Sequence, residues 1–368
     1  MTDKTLFDPV RVGRLTLANR LVMNPMTRCR ADAEGRVGEL TATYYTQRSS
    51  AGLIVTEGIA PSPNGKGYAR IPGLWSQDQV ESWKPVTQAV HAAGGHIFAQ
   101  VMHTGRVSHP ANFTAGAKVV APSALAFEGQ QIWTDGQGMQ SYPVPEALDE
   151  RGIQQAKDEF QNAAKNAIAA GFDGVELHGA NGYLLEQFLS PVTNQRTDGY
   201  GGSVANRIRF VVEVAQAVAA AIGGDRLALR ISPYGKNGGM SEYPEIDETY
   251  LALAKALAPL GLAYLHVADH FATSNGGPGA HPGLEALKSK LREALPGSAF
   301  LVGGSLDKDA AERAVKEGKL DLVGFGRAFL ANPDLVRRFR EGLELNAADP
   351  STFFTPGVKG YTDYATAS

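Results

Sequence analysis

The amino-acid sequence predicts an α/β protein built as a single (β/α)8 barrel of the TIM type, with an N-terminal hairpin and a long loop inserted after the third strand. Three observations carry that prediction. Short apolar runs alternate with amphipathic helical stretches along the chain. The runs number eight, which implies closure into a barrel. Each is apolar nearly throughout, as a parallel strand buried on both faces must be. The 368 residues fit the roughly 200 to over 400 that such barrels span as one domain.

In order, the expected strands are 20–24 (RLVMN), 53–58 (LIVTEG), 96–102 (HIFAQVM), 174–178 (GVELH), 227–232 (LALRIS), 264–268 (YLHVA), 299–303 (AFLVG) and 322–326 (LVGFG). Helical stretches between them include 149–170, 206–222, 248–258, 307–317 and 332–342, several opening on Asp or Asn caps. A doubly wound open sheet fits less well. It usually has nearer six strands, and it needs a G-x-G-x-x-G turn after an early strand that is missing here. Residues 6–17 (LFDPVRVGRLTL) read as a hairpin turning near 12–14 and suited to plugging the barrel's bottom. The stretch 104–148, with many Gly, Pro and aromatics, falls at the C-terminal mouth and should form a lid or pocket wall.

Composition narrows the function. With 35 basic and 38 acidic residues the net charge is −3 and no basic stripe is present, so nucleic acid is not an expected partner. No run of about 18 uncharged apolar residues would span a membrane, and residues 1–9 lack a signal peptide's apolar core. The expectation is a soluble, cytoplasmic protein. One Cys can close no intramolecular disulfide, and the eight His show no metal-ligand spacing, so no metal site is expected.

The chemistry-bearing residues gather at strand ends. His178, Asn181 and Tyr183 lie within HGANGY after the fourth strand. An imidazole and a carboxamide there could grip one carbonyl oxygen and stabilise an enolate, while the phenol delivers a proton. Gly303 and Gly304 at the end of the seventh strand, and Gly326 and Arg327 at the end of the eighth, offer backbone amides and a cation to a phosphate. Thr27, Gln100 and Arg230 put polar groups at the upper mouth, where a large, flat, heteroatom-rich ligand would satisfy them. An ion pair of Arg230 with Glu57 or Glu176 is the purely structural alternative.

These residues sit in ordered stretches: LFDPVRVGRLTLANRLVMNPMTRCRA, GYARIPGLWS, AQVMHTGRVSHP, GFDGVELHGANGYLLEQFLSPVTNQRTDGYGGSVANRIRF, LRISPYG and GFGRAFLANPDLVRR. Over nearly the entire chain the pattern resembles the Old Yellow Enzyme family of FMN-dependent ene reductases. The resemblance implies FMN bound non-covalently across the mouth, with Pro25, Met26, Thr27, Gly58, Gln100 and Arg230 around its ring and ribityl chain. Thr27 would meet the flavin carbonyl nearest the reactive nitrogen, and Gly303, Gly304, Gly326 and Arg327 would hold the phosphate. It assigns His178 and Asn181 to the substrate carbonyl, Tyr183 to proton donation, and Tyr68, Met102 and Phe354 to the substrate pocket. Three departures bear on substrate range: Met102 stands where many relatives carry Trp, Met26 where Leu is common, and Phe353-Phe354 replaces Phe-Tyr. Residues 270–281 (HFATSNGGPGAH) align poorly with the family.

The implied reaction is a cycle of two hydride transfers. NADPH or NADH reduces FMN, and hydride passes on to the β carbon of an α,β-unsaturated carbonyl or nitro compound while Tyr183 protonates the α carbon. Alternatives are an FMN-dependent dehydrogenase or oxidase on the same barrel and a non-catalytic flavin-binding redox sensor. The expected partner is a small activated alkene, and the chain is expected to be a monomer or homodimer.

Overall fold

A computed structural model describes residues 4–114, 116–269, 281–304 and 306–368. The segment 270–281 singled out by its sequence therefore lies, except for His281, outside the described residues.

The chain opens with an antiparallel hairpin, β1 (Val10–Val12) and β2 (Leu15–Leu17), paired Val10 to Leu17. The barrel strands follow as β3 (Leu21–Met23), β4 (Leu53–Ile59) and β5 (Ile97–Val101). Four short strands of the insertion come next: β6 (Val120–Ala121), β7 (Gln131–Thr134), β8 (Gly138–Ser141) and β9 (Glu146–Ala147). The barrel resumes with β10 (Gly174–Gly179), β11 (Leu227–Ile231), β12 (Tyr264–Ala268), β13 (Ala299–Gly303) and β14 (Leu322–Phe325). Among the described residues, eight parallel strands close in the order β3, β4, β5, β10, β11, β12, β13, β14. Every barrel strand is buried along its length, which is why each reads as a continuous apolar run. The expected (β/α)8 barrel is present, with strand ends displaced by one residue at most.

The hairpin plugs the N-terminal end. Val12 and Leu17 pack with Val22, Leu53, Phe98, Tyr264 and Leu322 in one cluster inside the barrel. The turn needs Gly13, at φ 53, because a Cβ there would lie 2.1 Å from the Asp225 carbonyl oxygen. Arg14 beside it pairs with Asp225 at 2.7 Å.

Helix starts follow cap chemistry. Asp149 and Asp307 accept from the amides of Gly152 and Ala310, opening helices Glu150–Ala169 and Lys308–Lys316 as the sequence implies. The helix expected from 206 starts two residues earlier, at Val204, because Ser203 is the cap and accepts from the Asn206 amide. The helix expected from 332 is instead Leu335–Glu341. Asn332 is spent elsewhere, its amide donating to Ala328 O at 2.9 Å and its carbonyl accepting from the Asn346 amide at 2.7 Å.

The insertion stands at the C-terminal mouth. β6 pairs with β9, and β7 with β8 as a hairpin. Phe127 and Tyr142 pack on a buried cluster of Cys29, Met102, Val107 and Tyr183.

Candidate active site

The C-terminal strand ends enclose a cavity of ≈ 310 Å³. Pro25, Met26 and Thr27 reach it from the loop after β3, and Gln100 and Met102 from the end of β5. His178, Asn181 and Tyr183 come from β10 and the turn beyond, Arg230 from β11, and Arg327 from the residue after β14 and Gly326. Phe353 and Phe354 close one side from the C-terminal segment.

The turn 178–183 is held in an uncommon shape. Asn181 adopts φ 60 and Gly182 φ 76. Asparagine tolerates that left-handed geometry better than most residues. Its amide donates to Ser232 Oγ at 2.9 Å, Ser232 Oγ donates to Glu186 Oε1 at 2.8 Å, and the Gly182 amide donates to Glu186 Oε2 at 2.6 Å. Tyr250 OH completes the carboxylate's shell at 2.8 Å. Burial pushes the Glu186 carboxyl up to about 7, against the three hydrogen-bond donors that favour its ionised form. Glu186 is not among the site residues expected from sequence; its only local signal is a carboxylate inside LLEQFL, whose residues are all buried.

The turn then delivers its side chains. The Ala180 amide donates to His178 Nδ1 at 3.3 Å, which leaves a neutral ring's proton on Nε2. His178 Nε2 and Asn181 Nδ2 stand 3.4 Å apart, and both residues line the cavity. Tyr183 packs edge-on to His178, with ring centroids 4.8 Å apart. Its hydroxyl meets Tyr68 OH at 3.0 Å. Burial raises the Tyr183 phenol, while the bond to Tyr68 and the charge of Arg230 pull it back.

Arg230 decides between the two readings of its charge. Glu57 accepts from the Arg28 amide at 3.0 Å, and Glu176 accepts from Gln100 Nε2, Tyr264 OH and His266 Nδ1 at 2.8, 2.9 and 2.9 Å. Arg230 Nε is buried with no hydrogen-bond partner. A buried guanidinium so placed, lining a cavity, fits an acceptor-rich ligand above it. Glu176 supplies the opposing charge below. Burial pushes its carboxyl up, but His266, Arg230 and Gln100 outweigh that and hold it ionised.

The glycines divide. A Cβ on Gly326 would meet only the Met26 side chain, no closer than 3.5 Å, so room is open beside Arg327. A Cβ on Gly304 would approach the Asp269 carbonyl oxygen at 2.8 Å. At Gly303 it would meet Asn24 Nδ2 and His266 Nε2 at 2.5 Å, and at Gly58 it would meet Met102 Sδ at 2.5 Å. Packing therefore favours glycine at 303, between Asn24 and His266, whereas at 58 the crowding comes mainly from the flexible end of Met102. Those two, Gly304, Gly326 and Tyr68 do not line the cavity, although Tyr68 reaches it through Tyr183.

A larger hollow of ≈ 580 Å³ lies outside the barrel, between the insertion and helix Glu150–Ala169. Its His103 is held neutral by burial, the pKa pulled down to about 3, and the strand-end residues face elsewhere.

Known proteins are similar to this chain in sequence and fold. Residues 5–346 match the NADH:flavin oxidoreductase / NADH oxidase family. The chain belongs to that family. This flavin oxidoreductase is 41% identical to 12-oxophytodienoate reductase 7 of Oryza sativa subsp. japonica, over 98% of this chain and 94% of the relative. It is 40% identical to a Leishmania infantum protein named a probable flavin mononucleotide-dependent alkene reductase, over 98% and 96%. Its fold superposes on the old yellow enzyme homologue from Zymomonas mobilis with a TM-score of 0.93 at 40% identity, covering 98% and 99% of the two chains. The resemblance to Old Yellow Enzyme is thereby confirmed, and the cofactor of this flavin oxidoreductase is FMN. The unsatisfied Arg230 Nε and the open space at Gly326 beside Arg327 fit that group.

Proposed function

We propose that this flavin oxidoreductase reduces the carbon–carbon double bond of α,β-unsaturated carbonyl or nitro compounds, with NADPH or NADH as the donor. The observation that carries the reading is the turn 178–183, which sets an imidazole, a carboxamide and a phenol on one cavity wall. FMN, when bound, supplies the hydride carrier that no side chain offers.

Pro25, Met26, Thr27, Gln100 and Arg230 would hold its ring, and Arg327 its phosphate with the backbone near Gly304 and Gly326. His178 Nε2 and Asn181 Nδ2 donate to the substrate's carbonyl or nitro oxygen. Two donors converging there stabilise the negative charge that develops as the β carbon is attacked. Tyr183 OH gives its proton to the α carbon. Met102 and Phe354 bound the space in which the alkene lies. A dehydrogenase or a redox sensor would leave this paired-donor and phenol arrangement without a task.

Separate timing of the two half-reactions tests the assignment. Tyr183→Phe should slow reoxidation of the reduced enzyme by cyclohexenone by about 10² to 10⁴ and leave reduction by NADPH unchanged. Equal slowing of both steps would remove Tyr183 from the proton-donor role.

A further inference from the structure

Three segments far apart in sequence are tied by one side chain next to Phe354, which lines the cavity. Arg70 Nε donates to the Cys29 carbonyl at 3.1 Å, in the loop after β3. Its Nη1 donates to Asp135 in the turn of the β7–β8 hairpin, and its Nη2 to the Phe354 carbonyl at 3.1 Å. The Arg70 carbonyl in turn accepts from the Ala31 amide at 3.0 Å. Arg28 and Arg30 also bond carbonyls of the C-terminal segment, at Phe353 and Gly360 and at Thr352 and Lys359, but Arg70 spans from that segment to the hairpin. Arg70 at φ 54 and Cys29 at φ 56 both hold left-handed backbone, which bulky residues avoid and keep only where their surroundings over-determine it.

Two of the three segments joined by Arg70, the hairpin and the C-terminal segment, present an exposed aromatic ring. Trp133 is 54% exposed, and its Nε1 donates to the same Asp135 carboxylate at 3.1 Å. Phe354 is 57% exposed and lines the cavity. Met139, 51% exposed, stands opposite Trp133 in the hairpin register. Exposed apolar groups gathered at a cavity's edge mark a binding surface.

We propose that Arg70 is a positioning residue that fixes Trp133 and Phe354 as an apolar rim for the part of an alkene remote from its double bond. The enzyme then favours alkenes carrying an aryl or multi-ring body over small cyclic enones. This rests on the alkene-reductase reading of the cavity beneath. Rings held in place beforehand need not be immobilised when the ligand arrives, so their contact area goes more fully into affinity.

Two variants separate the tie from the fold. Arg70→Lys keeps the charge and loses the planar fork. Asp135→Asn weakens the bond at a carboxylate that is 46% exposed, away from the barrel wall. With FMN-loaded enzyme, kcat and KM are compared for benzylideneacetone and cyclohexenone, and calorimetry gives the Kd of their saturated counterparts benzylacetone and cyclohexanone. Both variants should raise KM and Kd for the aryl compounds by ~10-fold, with kcat unchanged and the cyclic compounds moved less than ~2-fold. Trp133→Ala should reproduce the selective loss. Equal losses for both classes, or an unmoved benzylacetone Kd, overturn the proposal. Wild-type enzyme that reduces neither enone defeats the alkene-reductase reading instead, and the saturated ketones still decide the rim.

Discussion

The proton on Tyr183 is governed by a second phenol. Tyr68 and Tyr183 place their oxygens 3.0 Å apart. With Tyr68 donating, the Tyr183 hydrogen is turned toward the cavity, and the tyrosinate left after transfer keeps one hydrogen bond. A bond of that kind contributes about 1 kcal/mol, and every 1.36 kcal/mol is tenfold in rate. Tyr68→Phe should therefore slow alkene reduction several-fold to about tenfold and leave reduction by NADPH intact, as rapid mixing would show. It should also move the Tyr183 titration upward, since burial already raises that phenol and Tyr68 is one of the two groups pulling it back. Reduction by NADPH falling in parallel would make Tyr68 a packing residue only. The residues of HGANGY are legible in sequence because they are close together and chemically distinctive. Arg70 is not, because its partners stand 41, 65 and 284 residues away and its meaning exists only after folding. Glu186 is hidden for a related reason, since the donors at Ser232 and Tyr250 come from 46 and 64 residues beyond it.

Secondary structure was legible wherever burial leaves a period in the sequence. The barrel strands show it most clearly, because helices cover one face and the barrel interior the other. The β7–β8 hairpin shows it least. In β7 Ile132 and Thr134 are buried, but β8 alternates only between exposed and partly buried positions along Gly138–Ser141, so no apolar run marks the hairpin. The β1–β2 hairpin lies between these cases, with one buried residue closing each strand, Val12 and Leu17. Those two side chains fill the end of the barrel opposite the cavity, so stability and catalysis should separate there. Leu17→Ala should lower unfolding free energy by about 2 to 5 kcal/mol, the usual range for a fully buried leucine. Urea unfolding measures that loss, while kcat for cyclohexenone at a temperature below the transition should stay at the wild-type value. A comparable fall in kcat would mean that the plug shapes the mouth through the strands.

For the molecule as a whole, buried ionisable groups link stability to pH in opposing directions. Glu57 and Glu186 are both pushed by burial to about 7, well above the ordinary 4.5. Between those values the folded chain holds protons that the unfolded chain has released, so stability falls as pH rises through that window. His103 acts oppositely: burial pulls it from 6.5 to about 3, the unfolded chain binds the extra proton, and stability is lost as pH falls through that interval. The wild-type profile is therefore a difference of slopes, and a single variant isolates one of them. Glu186→Gln removes the ionisation while retaining an oxygen for the Gly182 amide and an amide for the two hydroxyls. At about 1.4 kcal/mol per pH unit, its stability relative to wild type should rise by about 3 kcal/mol between pH 4.5 and pH 7.5 and change little above that. Urea midpoints at the two pH values measure the difference. A constant offset would show that Glu186 titrates in the folded chain as it does in the unfolded one and is ionised at neutral pH, its burial balanced by Gly182, Ser232 and Tyr250. The carboxylate would then be an ionised anchor of the Asn181 turn at neutral pH, and the pH dependence of alkene reduction would have to arise elsewhere.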